Sequence, residues 1–268
     1  MRTVPSLFIL LILIPQHGRG QSERIATANE AHSQHAHPSP PRGVNPTTII
    51  DLWIDHGYAA RDVKPSPDSG DQAFLRRVYL DLVGRVPTAA EARAFLTDIN
   101  SNKRATLVES LLNSTEYAVH MAQTFDIMLL GRNEGQRTNR KKHGWTVYLE
   151  RSFAENKPWN HIARDILLAR ADKADRGHLW YLYERRDDHQ AIAESIATDF
   201  FGVDIACAQC HDHPLAEEIM QQHYWGLVAF YKRGKNTRTA NGVAIAESAI
   251  GGFDSYTDAM SGATDDAV

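Results

Sequence analysis

The sequence predicts an all-α fold, an irregular multi-helix domain with a Cys-x-x-Cys-His loop between two helices. Three observations carry that reading. Apolar residues recur at three- and four-residue spacing in segment after segment between residues 46 and 233. Capping residues, glycines and prolines bound those segments where helices start and stop. The chain has 268 residues and is 43% hydrophobic, enough to bury a core without disulfides, so two cysteines set three apart are available for chemistry.

The opening stretch "MRTVPSLFILLILIPQHGRG" has Arg2, an apolar run from Val4 to Ile14 and small residues at Gly18 and Gly20. It predicts a signal peptide over residues 1–20, cleaved near Gln21, with an apolar run too short to span a bilayer. No cysteine follows to carry a lipid and no second long apolar stretch appears, so the expectation is an exported chain, periplasmic or extracellular, with no membrane span. The leader holds Arg2 and Arg19 and no acid, leaving a remainder about two charges more acidic than the formal −4 of the whole chain. No nucleic-acid partner is expected of such a balance. Residues 21–45, polar and Pro-rich toward their end, read as a disordered linker, in which His32, His35 and His37 are solvated side chains rather than metal ligands.

The helices follow in order. Asn45 caps a first one, with Pro46 in its first turn, Gly57 as its stop and Ile49, Ile50, Trp53 and Ile54 on one side. In "DQAFLRRVYLDLVG" the apolar set is Phe74, Leu75, Val78, Tyr79 and Leu82, and Gly84 ends the helix. Thr88 and Glu91 form a capping box for the next, running to about Asp98 with Ala92, Phe95 and Leu96 inward. Leu107, Val108, Leu111 and Leu112 mark a short helix; Val119, Ala122, Phe125 and Leu129 mark a longer one beginning near Ser114. "RNEGQRTNRKKHG" reads as a charged break. Trp145 to Phe153 and Trp159 to Leu168 are two more helices, the second opened by Pro158. "LWYLYERR" fits a short strand or an extended loop. Ile192, Ile196 and Phe200 define a helix running into the cysteines. Leu215, Ile219, Leu227, Val228 and Tyr231 predict another between Pro214 and Arg233, weakened at Gly226. From residue 234 to Val268 the Gly, Ala, Thr and Asp content predicts a flexible tail.

The chemistry concentrates in "CAQCHDHP", Cys207 to Pro214. Covalent haem attachment needs two thiols to form thioethers with two vinyl groups and a histidine beside the second to bind iron; Cys207, Cys210 and His211 supply that set. Val203, Ile205, Leu215, Ile219, Trp225 and Leu227 are flanking residues suited to wrapping an apolar macrocycle. Three alternatives stand beside haem c. A redox dithiol would use the dipole of a helix beginning after Pro214, but lacks a thioredoxin-like strand context. A metal clip would draw on Cys207, Cys210, His211 and His213, or His223, although adjacent ligands strain one tetrahedral centre. A disulfide closing so small a ring would stabilise little. For a sixth iron ligand, His213, Met220, His223, His120, Met121 and Met128 are all in range of consideration; His213 sits too near His211 to reach the opposite face readily, and none is singled out.

The runs "FLRRVYLDLVGRVPTAAEARAFL", "FFGVDIACAQCHDHP" and "YWGLVAFYKR" resemble the planctomycete cytochrome-C-like domain family of unknown function, over about residues 46–233. The resemblance implies a mostly helical domain with a haem-like Cys-x-x-Cys-His motif, often preceded by a cytochrome c module and followed by a second family domain. That C-terminal family domain would be missing here. Arg76, Arg77, Asp81 and Arg85 in the first run would either clamp propionates or an anionic partner, or serve structure through an Arg77–Asp81 pair and an anchored Gly84–Pro87 turn; the structural role is preferred. No Ser–His–Asp order, phosphate loop or carboxylate pair points to a hydrolase. The expectation is an electron carrier that meets a redox partner protein, or else a non-haem binding or assembly module in which the same loop clips two helices together.

Overall fold

A computed structural model describes residues 45–171, 175–216, 218–249, 252, 254–259 and 262–267. The expected leader, most of the linker and its three histidines lie outside them. The chain divides into two compact units, Met1–Asp68 and Ser69–Val268.

In the first unit, helix α1 spans Pro46–Ala60, and the Asn45 side chain accepts the Thr47 N–H at 3.0 Å. It passes through Gly57, where a stop was expected, because one glycine costs a helix only about 1 kcal/mol. Ile50, Trp53 and Ile54 of its apolar side are exposed.

The second unit is helix-rich. Helices α2 (Asp71–Val83), α3 (Ala89–Thr97), α4 (Lys103–Leu112) and α5 (Thr115–Leu130) enclose a first cluster around Leu75, Tyr79, Phe95, Leu111, Tyr117 and Met121. The capping box forms as expected, with Glu91 N–H on Thr88 Oγ1 and Thr88 N–H on Glu91 Oε2. Arg85, rather than Arg77, carries the structural ion pairs of this region. Its guanidinium bonds both oxygens of Glu91 at 2.9 Å and both of Glu116, and reaches the Val86 carbonyl, which ties the turn after α2 to α3 and α5.

The charged stretch expected as a break is helix α6, Glu134–Lys142. Arg140 explains it. Only 2% exposed, it forms a two-pronged pair with Glu184, a longer contact to Asp126 and hydrogen bonds to the carbonyls of Leu130 and Gly131. Trp145 Nε1 donates to Asp126 and Trp180 Nε1 to Glu184, so each of these half-buried carboxylates has a further partner. Helices α7 (Trp145–Ala154) and α8 (Trp159–Leu168) occupy the expected ranges. The aromatic stretch left between strand and loop is helical: a 3-10 turn at Gly177–Leu179 runs into α9, Trp180–Tyr183. With α10 (His189–Ile196) these elements build the second cluster on Trp145, Leu149, Ile166, Leu179, Tyr181 and Ile196.

Helix α11 spans Gln221–Tyr231, so the helix expected from Pro214 onward starts seven residues later. It packs on α10 through Ala193, Ala197, Ile205, Ala208, Tyr224 and Val228, the third cluster. Phe125 and Phe153 touch both the first and second clusters, and Leu227 touches both the second and third.

Two small antiparallel sheets correct the all-α expectation and the expected tail. Strands β1 (Gly234–Thr239) and β2 (Gly242–Glu247) pair with Thr239 opposite Gly242, leaving a two-residue turn at Ala240 and Asn241. Val243 and Ala244 are buried, and Ile245 packs on the second cluster. Strands β3 (Asp254–Thr257) and β4 (Thr264–Ala267) form the other hairpin. Among the described residues no helix is long and apolar enough to cross a membrane.

Candidate functional site

The cysteine loop is built from the end of α10 onward. That helix widens into a π turn at Ala197–Phe201, closed by Gly202 at φ 70° and by the Val203 N–H on the Ala197 carbonyl. Ile205 is then buried, Asp204 Oδ1 accepts the Ala206 N–H at 3.0 Å, and Ala206–Gln209 coil into a 3-10 turn. Cys207 within the turn and Cys210 directly after it are both exposed and both free thiols, while Ala208 between them is fully buried against the third cluster.

The backbone of this turn is held from three directions. The Gln209 carbonyl accepts Trp225 Nε1–H and Gln221 Nε2–H, each at 3.0 Å. Asp212 Oδ1 accepts the Gln221 N–H at 2.8 Å, satisfying one of the free amides at the start of α11. The Cys210 carbonyl accepts the Ala259 N–H at 3.0 Å from the turn between β3 and β4. Tyr256 of β3 stacks on Trp225 with centroids 6.2 Å apart and planes 2° off parallel, and Gln221 Nε2 also reaches the Thr257 carbonyl at 3.4 Å. Burial and the nearby Asp265, Asp212 and Asp258 push the Tyr256 hydroxyl above its ordinary range. Tyr224, one residue from Trp225, is raised too, by burial and by its hydrogen bond to Glu194.

Three histidines of the loop region receive different proton placements from the backbone. His211 Nδ1 lies 2.7 Å from the Asp212 carbonyl, which only accepts, so Nδ1 carries a proton and in the neutral ring Nε2 holds the lone pair. His213 Nδ1 faces the N–H groups of Leu215 and Ala216 at 3.2 and 3.0 Å, and His223 Nδ1 faces that of Met220 at 3.1 Å. Amide groups only donate, so in these two rings Nδ1 is bare and the proton sits on Nε2. His213 also holds the loop through its own N–H on the Ile219 carbonyl. Met220 is partly exposed and its sulfur takes a 3.8 Å contact from Gln222 Nε2. Met121 is in the first core cluster and His120 packs against Gly84, both on α5. Met128, also on α5, is exposed.

The apolar flank expected around the loop is brought together in part. Ile205 is buried and Val203, Ile219, Trp225 and Leu227 are half-buried on the third cluster, whereas Leu215 is 90% exposed. Among the described residues no three His, Cys, Asp or Glu side chains converge as a metal-binding group. The helix on which the redox-dithiol reading drew begins at Gln221 rather than after Pro214, and its first turn meets the cysteine loop through Asp212 and the Gln209 carbonyl. Sequence reasoning missed Gln221, Tyr256 and Ala259 as parts of this site. Gln221 and Trp225 are four apart on one helix face, which is a usable signal; Tyr256 and Ala259 lie in a hairpin that composition had concealed.

Fold and loop together define a helix-rich domain that presents two thiols and a histidine from one short, backbone-locked turn. The chain belongs to the family described as PSCyt2, protein of unknown function (DUF1549), whose family model matches residues 49–236. No curated protein and no solved structure matches it.

Proposed function

We propose that this chain is an exported c-type cytochrome-like protein, in which Cys207 and Cys210 hold a haem covalently, His211 Nε2 is the proximal iron ligand, and electrons pass to a protein partner. The observation that carries this reading is the turn itself: two free, exposed thiols flanking a buried Ala208, followed directly by a histidine whose proton is drawn to Nδ1 by a backbone carbonyl. A ligating histidine normally donates its other ring nitrogen in this way, and the bond fixes both tautomer and ring orientation. His213 and His223 carry the opposite tautomer, and their ring nitrogens serve the loop and the start of α11.

The donor set fits haem c. Val203, Ile219, Trp225 and Leu227 pack on the third cluster beneath the turn, next to Ala208, and Leu215 stands in solvent. A bound haem would supply one-electron oxidation and reduction. The chain's own contribution is to fix the spacing of the two sulfurs through the buried Ala208, to hold the Gln209 carbonyl with two donors and to orient His211. Export is supported by the Arg2-led apolar opening and by the oxidising compartments in which such attachment is made.

The test is expression of the full chain in a host with periplasmic haem-attachment machinery, followed by denaturation, a pyridine haemochrome spectrum and intact mass. A covalent adduct that disappears in the Cys207→Ala plus Cys210→Ala variant is the expected result. An unmodified mass without a Soret band overturns the proposal.

A further inference from the structure

Away from the cysteine turn, the end of α8 opens onto two adjoining cavities. One, of about 340 Å³, is lined by Phe230 and Tyr231 of α11 and Ile245 of β2. The other, of about 490 Å³, is lined by Lys157, His161, Arg164 and Asp165. Leu168 and Arg170 line both, so the two cavities adjoin along this segment, one with the more apolar lining and the other with the more cationic. Each volume is in the range of small-ligand pockets, about 300–1,000 Å³.

The charge of the second cavity is uncompensated among the described residues. Lys157 is paired with Asp165 at 2.5 Å, whereas the guanidinium groups of Arg164 and Arg170 and the ring of His161, all exposed, make no hydrogen bond or ion pair there. Four carbonyls around this end of α8 are engaged by donors. Asp165 O accepts the Ala169 N–H at 3.0 Å, Leu167 O accepts the Tyr231 hydroxyl at 3.5 Å, Ala171 O accepts Arg176 Nη2 at 2.8 Å, and His178 Nε2 donates to Arg170 O at 3.0 Å. The first cavity is lined by one residue of each sign besides Arg170, Arg233 and Glu247, whereas Arg164 and Arg170 offer unpaired positive charge for an anion. Ala169, which lines the first cavity, closes α8 in the left-handed region at φ 45°, a conformation that costs a residue with a Cβ.

We propose that these adjoining cavities bind an amphipathic organic anion, its apolar chain or ring against Leu168, Phe230 and Ile245 and its single carboxylate or sulfonate held by Arg164 and Arg170. A neutral apolar ligand would make no use of the two guanidinium groups, and an inorganic oxyanion would leave the first cavity unfilled. The site is independent of whether the cysteine turn carries haem.

The experiment is calorimetric titration of the full chain with decanoate, with decyltrimethylammonium at the same chain length, and with inorganic sulfate, all below micelle formation. Expected is saturable one-to-one binding of decanoate, with the cationic chain and sulfate each at least about ten-fold weaker. Arg164→Ala plus Arg170→Ala, at exposed positions, keeps the melting temperature and loses about ten-fold or more in decanoate affinity. Phe230→Ser loses decanoate affinity as well, and Cys207→Ala plus Cys210→Ala leaves it unchanged. No saturable decanoate binding, equal binding of the cationic chain or of sulfate, or undiminished affinity in the double arginine variant overturns the proposal.

Discussion

Trp225 and Gln209 are joined by a single hydrogen bond, the indole N–H to the backbone carbonyl at 3.0 Å, and that carbonyl lies between the two cysteines of the turn. Gln221 gives the same oxygen a second N–H. Trp225→Phe and Gln221→Leu are each predicted to cost about 1 kcal/mol, since one donor remains in either case. The double variant leaves the carbonyl without a protein partner and is predicted to cost more than the sum. Urea denaturation of the four proteins measures this coupling; strict additivity would show that the two donors do not share a task.

Burial makes Arg140 the most sensitive charge in the helix-rich unit. Arg140→Met removes the partner of the half-buried Glu184 and Asp126, and a loss of about 3 kcal/mol is predicted, the low end for breaking a buried pair from one side because each carboxylate keeps an indole donor. Chemical denaturation checks it. A loss below 1 kcal/mol would mean that water reaches the carboxylates freely.

Acid should weaken the first cluster in a defined window. The Arg85 guanidinium, with help from Thr88, holds the Glu91 carboxyl down at about 2 against an ordinary 4.5, and Arg85 lowers Glu116 in the same direction. A depressed folded-state pKa means that the unfolded chain binds the proton first. The stabilisation is therefore complete above about pH 4.5 and is lost as pH falls toward 2. The melting temperature of Glu91→Gln, lower than that of the parent at pH 6, is predicted to converge on it as pH drops through that window. A constant gap would contradict the assignment.

Much of the helical framework is legible in local signals. Thr88 with Glu91, Ser114, Pro158 and Gly84 each act within a few residues of themselves, so spacing alone reveals them. Three features escape for physical reasons. Residues 134–142 look like solvent-facing charge because the partners that let Arg140 go inside, Asp126 and Glu184, are 14 and 44 residues away. The segment after Pro214 has helical spacing, but His213 and Asp212 spend it on loop contacts, and the helix begins only where Asp212 can meet the Gln221 amide. The first hairpin carried only a displaced mark, Asn241-Gly242, one residue beyond the Ala240-Asn241 turn that forms, and composition outweighed it. In the site, the thiols and His211 are plain from the motif, whereas the tautomers that set His211 apart from His213 and His223 depend on backbone groups no spacing rule supplies.

The two faces of the 3-10 turn are predicted to respond oppositely to substitution. Cys207→Ala plus Cys210→Ala trims exposed atoms and should shift stability by no more than about 0.5 kcal/mol. Ala208→Leu pushes a branched chain into the fully buried contact with α11 and should cost about 1–3 kcal/mol or more. Thermal melts of the two variants separate the cases, and a tolerated leucine would mean that the turn is not seated on the helix.

Phe125, Phe153 and Leu227 each belong to the boundary of two clusters at once. A region that opened alone would have to pull one of these side chains away from its other neighbours, exposing apolar surface on both sides of the seam. Separate melting of the three clusters is thereby penalised, and amide exchange across α5, α7 and α11 should report one common opening rather than three. The surface on which the cysteine turn rests thus draws its rigidity from the whole helix-rich unit.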